Sequence, residues 1–112
     1  KGLETLVNLP YLELSNNQLT EIKGLETLVN LQQLYLYENR LTEIKGLDTL
    51  VKLQTLWLYD NQLSEIKGIN SIIASLEGLR INNNPFLQDA NLSLEDWNHR
   101  DIIWKYLSDL DI

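Results

Sequence analysis

The string Lys1-Gly2-Leu3-Glu4-Thr5-Leu6-Val7-Asn8-Leu9 returns unchanged at residues 23–31 and nearly unchanged at 45–53, a step of 22. A looser copy starts at Lys67-Gly68-Ile69. Each unit holds too few apolar residues to enclose a core alone, so neighbours must stack and share one. That requirement limits the chain to a solenoid.

A second pattern lies within each unit. Leucines and one asparagine recur as Leu9/Leu12/Leu14/Asn17, Leu31/Leu34/Leu36/Asn39, Leu53/Leu56/Leu58/Asn61 and Leu76/Leu79/Ile81/Asn84. The last step is 23, which places one inserted residue near Ala74-Ser75. Leucines two apart with polar or aromatic residues between them have the period of a strand buried on one face. The asparagines follow each strand where the chain turns inward, and are expected to bond backbone groups of their own and the adjacent repeat as a buried ladder. Gly24, Gly46 and Gly68 recur on the return path, where a tight or left-handed turn suits glycine. None lies in a phosphate-binding string.

Read in full, the period is L-x-x-L-x-L-x-x-N-x-L-x-x-I-x-x-L-x-x-L, with Ile22, Ile44 and Ile66 in the isoleucine column. It resembles the leucine-rich repeat family. The spacing is similar to the 22-residue class found in the protein phosphatase one regulatory subunit and in bacterial internalins. The resemblance covers residues 1 to about 86. It implies an α/β solenoid with a parallel sheet on the concave face, and a phosphatase as one candidate partner.

Periodicity stops after Asn84-Pro85-Phe86, and residues 87–112 carry a different composition. Ser93-Leu94-Glu95-Asp96 has the form of a helix start, and Ile103, Leu107 and Leu110 fall on one helical face beside Trp97 and Trp104. The expected domains are therefore repeats over 1–86 and a helical C-terminal cap over 87–112. At the other end Leu3, Leu6 and Leu9 enter in mid-repeat. They are expected to meet either an upstream segment or a second chain, so self-association through this edge is the rival to a longer array.

The sequence offers little chemistry. With 0 Cys, a disulfide framework, a thiolate-bound zinc and a thiol nucleophile are excluded. His99 is a single histidine beside Arg100 and Asp101, without a G-x-S-x-G or H-E-x-x-H string. No enzyme activity, cofactor or metal is expected. A net charge of -7 disfavours nucleic acid, and no apolar run is long enough for a membrane span. Cysteine-rich caps, common in extracellular members of the family, are missing, which points to a cytoplasmic location. Secretion stays open because the chain starts at Lys1 and processing could have removed a signal.

Function is expected on the outward strand positions. Stacking puts equivalent residues about 4.8 Å apart, so each position becomes a column. One column reads Glu13, Tyr35, Trp57, Arg80; the next reads Ser15, Tyr37, Tyr59, Asn82; a third reads Asn16, Glu38, Asp60, Asn83; and the one preceding them reads Tyr11, Gln33, Thr55, Gly78. Tyr35, Tyr37, Trp57 and Tyr59 form an aromatic quartet flanked by Glu13, Glu38, Asp60 and Arg80. The leucine columns already fill the core, and Trp, Tyr and Arg are frequent anchors of protein interfaces. The plainer alternative is that these rings only stack along and support the sheet. The expectation is a protein-binding concave face, with a stacking carbohydrate or other small ligand as a competing occupant. By contrast, the stripes Glu21/Glu43/Glu65 and Lys23/Lys45/Lys67 read as a solvated face of weak ion pairs.

Overall fold

The computed structural model describes residues 7–65, 72 and 75–85. Four short strands, β1 (Tyr11–Glu13), β2 (Gln33–Tyr35), β3 (Thr55–Trp57) and β4 (Gly78–Arg80), form one parallel sheet in chain order. The expected helical cap at 87–112, with Ser93, Trp97, His99 and Trp104, lies outside the described residues, as do Leu3 and Leu6 at the other end and Ile66, Lys67 and Gly68 in the repeats.

Register follows the sequence columns. Leu12, Leu34, Leu56 and Leu79 are direct partners along the sheet, and so are Glu13, Tyr35, Trp57 and Arg80. The backbone ladder runs past the three-residue strands: Leu36 N–H donates to the Trp57 carbonyl at 2.9 Å, and Glu38 N–H to the Tyr59 carbonyl at 3.0 Å. A one-residue slip would turn the leucines out and the aromatics in, so the buried leucine face fixes the pairing.

Leu34, Leu36, Leu56 and Leu58 are fully buried or nearly so. They pack against a second apolar row supplied by the return path: Ile22, Leu25, Leu28, Leu31, and one period later Ile44, Leu47, Leu50, Leu53. That row has a period of three, and its hydrogen bonds explain why. Leu28 N–H donates to the Leu25 carbonyl and Leu31 N–H to that of Leu28, both at 3.0 Å, and Leu50 and Leu53 repeat the pattern. Such i to i+3 bonding brings every third side chain to the same side, which keeps the leucines inward. It also turns Val29 and Val51 outward, at 42% and 60% exposure, in a column with Val7. Fully burying each leucine contributes about 1.5–3 kcal/mol, and this shared core supplies what a single unit lacks. Gly24 and Gly46 introduce each turn at φ values of 76° and 77°, where a side chain would be strained.

The irregular step is accommodated beside Ser75. Ser75 N–H donates to the Ile72 carbonyl, matching Leu53 to Leu50 at a spacing of 22, whereas Gly78 N–H donates to Gln54, matching Thr55 to Gln32 at a spacing of 23. The extra residue therefore enters between Ile72 and Gly78. The Ser75 hydroxyl satisfies the exposed backbone by donating toward the Leu53 carbonyl at 2.9 Å, with the Ile72 carbonyl 3.0 Å away.

Three of the four asparagines form the expected buried ladder; Asn17 is exposed and joins it through its backbone N–H, which donates to Asn39. Asn39, Asn61 and Asn84 are buried. Each amide donates forward to its own strand end and backward to the preceding repeat: Asn61 to Leu58 at 2.9 Å and to Leu36 at 3.0 Å, Asn84 to Ile81 at 2.9 Å and to Leu58 at 3.0 Å. Their carbonyl oxygens accept from the preceding repeat, Asn39 from the N–H groups of Asn17 and Leu19, and Asn61 from that of Leu41. Among the described residues no buried side-chain polar atom lacks a partner.

Candidate functional site

On the sheet face turned away from the leucines, one aromatic network crosses three strands. Tyr35 meets Trp57 edge-on at a centroid distance of 4.8 Å and 68°, while Tyr37 and Tyr59 lie stacked at 4.6 Å and 6°. Trp57 links the two columns, with Tyr37 at 6.0 Å and Tyr59 at 6.2 Å. The four residues named by the sequence columns are therefore brought together, and all four keep partial exposure.

The network has a fifth ring. Tyr11 packs edge-on against Tyr35 at 5.3 Å and is 49% exposed. Its direct partner is Gln33, so it reaches Tyr35 along the diagonal to the residue two further on, a contact that long aromatic side chains can span. The columns place Tyr11 on this face with Gln33, Thr55 and Gly78 but do not join it to the quartet; the signal was an aromatic two residues before Glu13 on the same strand face.

Arg80 closes the opposite end. It is the register partner of Trp57, and its guanidinium lies 4.4 Å from the ring centroid. A cation there is held by the negative face of the indole.

The acidic residues differ in what they do. The Glu13 carboxylate accepts from the Ser15 N–H at 2.9 Å and from the Ser15 hydroxyl, and so folds back onto its own strand end. The Asp60 carboxylate is held by the Asn83 amide at 2.5 Å. Glu38 is exposed and lies in no ion pair of the described residues. It shares a backbone feature with its column that residue type did not reveal: Asn16, Glu38, Asp60 and Asn83 all adopt left-handed φ values between 56° and 60°. The strand ends in this turn, which aims the next residue, an asparagine of the ladder, into the core. Asparagine and aspartate tolerate the conformation; a glutamate is unusual in it.

Burial is the main influence that raises the Tyr59 pKa, followed by Tyr37 and Glu38; Asp60 adds to the rise and Arg80 opposes it. Tyr35 is raised by burial first, then by Tyr11, Glu13 and Tyr37. Burial, more than neighbouring charge, thus favours the protonated form of both hydroxyls.

Away from this face the charged stripes make long, exposed pairs, with Lys45 at 3.4 Å from Glu43 and 3.8 Å from Glu21. Such pairs are each worth about 0 to 1 kcal/mol. Among the described residues no group of three or more His, Cys, Asp or Glu is placed to hold a metal, and no helix is long and apolar enough to cross a membrane.

Residues 7–49 match the family model for leucine rich repeats, in two copies. The chain is a leucine-rich repeat protein. Its solenoid is similar to that of internalin C2 from Listeria monocytogenes str. 4b F2365, at a TM-score of 0.69 and 32% identity over 73% of this chain and 36% of that one. It is also similar to an internalin, inlF, from the same strain, at a TM-score of 0.68 and 27% identity over 73% of this chain and 24% of that one. The chain thus spans about a third of the first structure and a quarter of the second. No curated protein matches it in sequence. Leucine-rich repeats in general mediate protein–protein interaction, and the family to which these repeats are similar is one of non-enzymatic interaction modules.

Proposed function

We propose that this leucine-rich repeat chain binds a partner protein on the concave face of its sheet, through Tyr35, Tyr37, Trp57 and Tyr59 with Tyr11 extending the patch. The observation that carries the reading is the continuous aromatic network, partly exposed and outside the leucine core. Aromatic rings bury large areas on binding at a small cost in side-chain freedom, and their polar edges keep the free protein soluble. Glu13, Glu38, Asp60 and Arg80 at the border set polarity and register.

Affinity capture from a native lysate tests this, comparing wild type with Tyr35→Ala/Trp57→Ala after circular dichroism has shown the variant folded. A partner held by wild type and released by the variant supports the reading; identical captures oppose it. The same capture examines the phosphatase expectation and the cytoplasmic location.

A second reading is self-association at the β1 edge. Leu12, Leu14 and Leu19 there are only partly buried, whereas their counterparts Leu34, Leu36 and Leu41 are enclosed. It predicts a light-scattering mass that rises with concentration.

A further inference from the structure

We propose that the stacked Tyr37–Tyr59 pair and the Glu38 carboxylate form a seat for a basic side chain, a guanidinium or an ammonium, carried by the partner protein. The inference rests on the reading of the aromatic face as a protein-binding surface and assigns the chemistry of its occupant.

The face already holds one example of that chemistry. Arg80 lies over Trp57 at 4.4 Å, its neighbour in register, and so completes the first aromatic column with a cation. The second column has equivalent rings and no such completion. Tyr37 and Tyr59 lie parallel at 4.6 Å, and the residues that flank them in the column are Ser15 and Asn82, neither of which carries charge. A cation placed over these rings gains the same attraction to the ring quadrupole that holds Arg80.

Charge on the border selects the same occupant. Glu38 follows Tyr37 in the chain, and its charge acts on the Tyr59 hydroxyl together with that of Asp60, with Arg80 from the first column opposing both. The Glu38 N–H also donates to the Tyr59 carbonyl at 3.0 Å, which places the residue beside the second column. Asp60 is engaged by Asn83 and Glu13 by Ser15, while Glu38 lies in no ion pair of the described residues. A net charge of -7 draws a basic partner surface toward the chain before contact.

The test is selection of peptides from a random display library on the full chain, followed by titration of the synthetic binders. Three comparisons are made: Glu38→Gln, Tyr35→Ala/Trp57→Ala, and each peptide with its Arg replaced by citrulline or its Lys by acetyl-lysine. Urea unfolding of Glu38→Gln first establishes that its fold is intact. The expected binders are rich in Arg or Lys. Neutralising one of those residues weakens binding roughly three- to thirtyfold, the scale of an exposed cation–π contact plus an ion pair, and the ion-pair share of that difference disappears in Glu38→Gln. Binders that depend on Tyr35 and Trp57 but are indifferent to both neutralisations overturn this inference and leave the aromatic face intact as a binding surface. Binders indifferent to every variant, or a library that yields none, overturn both.

Discussion

The side-chain amide of Asn61 donates to the Leu36 carbonyl at 3.0 Å, across the boundary between one repeat and the one before it. The same side chain accepts from Leu41 N–H at 3.0 Å and donates to Leu58 at 2.9 Å, all away from solvent. Removing it leaves the Leu41 N–H without that buried acceptor and takes one of two donors from each carbonyl, since Asn39 still donates to Leu36 and Asn84 to Leu58; an unmet buried donor costs about 1–3 kcal/mol. The expected loss for Asn61→Ala is therefore about 1–3 kcal/mol in urea unfolding. Amide hydrogen exchange at Leu41 should quicken with it. Asn17, exposed and bonded to Leu14 and Ser15 of its own repeat, should lose no more than about 1 kcal/mol on the same change.

Leu56 and Trp57 are chain neighbours on opposite faces of β3. Leu56 is fully enclosed, so Leu56→Ala should cost about 2–5 kcal/mol. Trp57 stands among Tyr35, Tyr37, Tyr59 and Arg80 on the open face. Its replacement by Ala gives up cross-strand contacts worth about 0.2–1 kcal/mol each, so a loss of about 1–2 kcal/mol is expected. Equal shifts of the unfolding midpoint would contradict the assignment of the two faces.

Period and register made the core legible. The leucine spacing placed Leu12, Leu34, Leu56 and Leu79 on one row, and the same spacing aligned Tyr35 with Trp57 and Tyr37 with Tyr59. The asparagine ladder was legible for a different reason: a buried amide at a turn must be satisfied, and only neighbouring backbone is within reach. Three things were not legible. Tyr11 joins the aromatic network on a diagonal, which a comparison of equivalent positions does not examine. The left-handed turn at Asn16, Glu38, Asp60 and Asn83 leaves no mark in residue type at Glu38, since glutamate is not chosen for that conformation. Val29 and Val51 are apolar by type, and only the three-residue period of the return path turns them to solvent.

Alkaline titration should destabilise the fold. The pKa values of Tyr35 and Tyr59 are raised above the ordinary tyrosine value, first by burial. A raised pKa means that the unfolded chain gives up these protons first. The contribution is fully present below a pH of about 10, the unfolded value, and is lost as pH climbs through the higher folded values. Urea midpoints should therefore fall above a pH of about 10. Tyr35→Phe/Tyr59→Phe, which removes both hydroxyls, should flatten that fall. An unchanged slope would show that the ionisation of other groups governs the alkaline limit.

Glu38 should show stability and binding pulling in opposite directions. Its φ of 56° lies where its column uses Asn16, Asp60 and Asn83, residues whose short side chains tolerate the left-handed turn. The conformation costs an ordinary L-residue about 1 kcal/mol or more, so Glu38→Asn should stabilise the chain by about 0.5–1 kcal/mol. For a domain of this size that is a rise in Tm of about 2–8 °C, readable by circular dichroism. The same substitution shortens the side chain and removes its charge, so peptides selected on the wild type for a basic residue should bind the more stable variant less tightly. A loss of stability instead would mean that the Glu38 carboxylate supports the fold, and its place at the border of the aromatic face would then be structural.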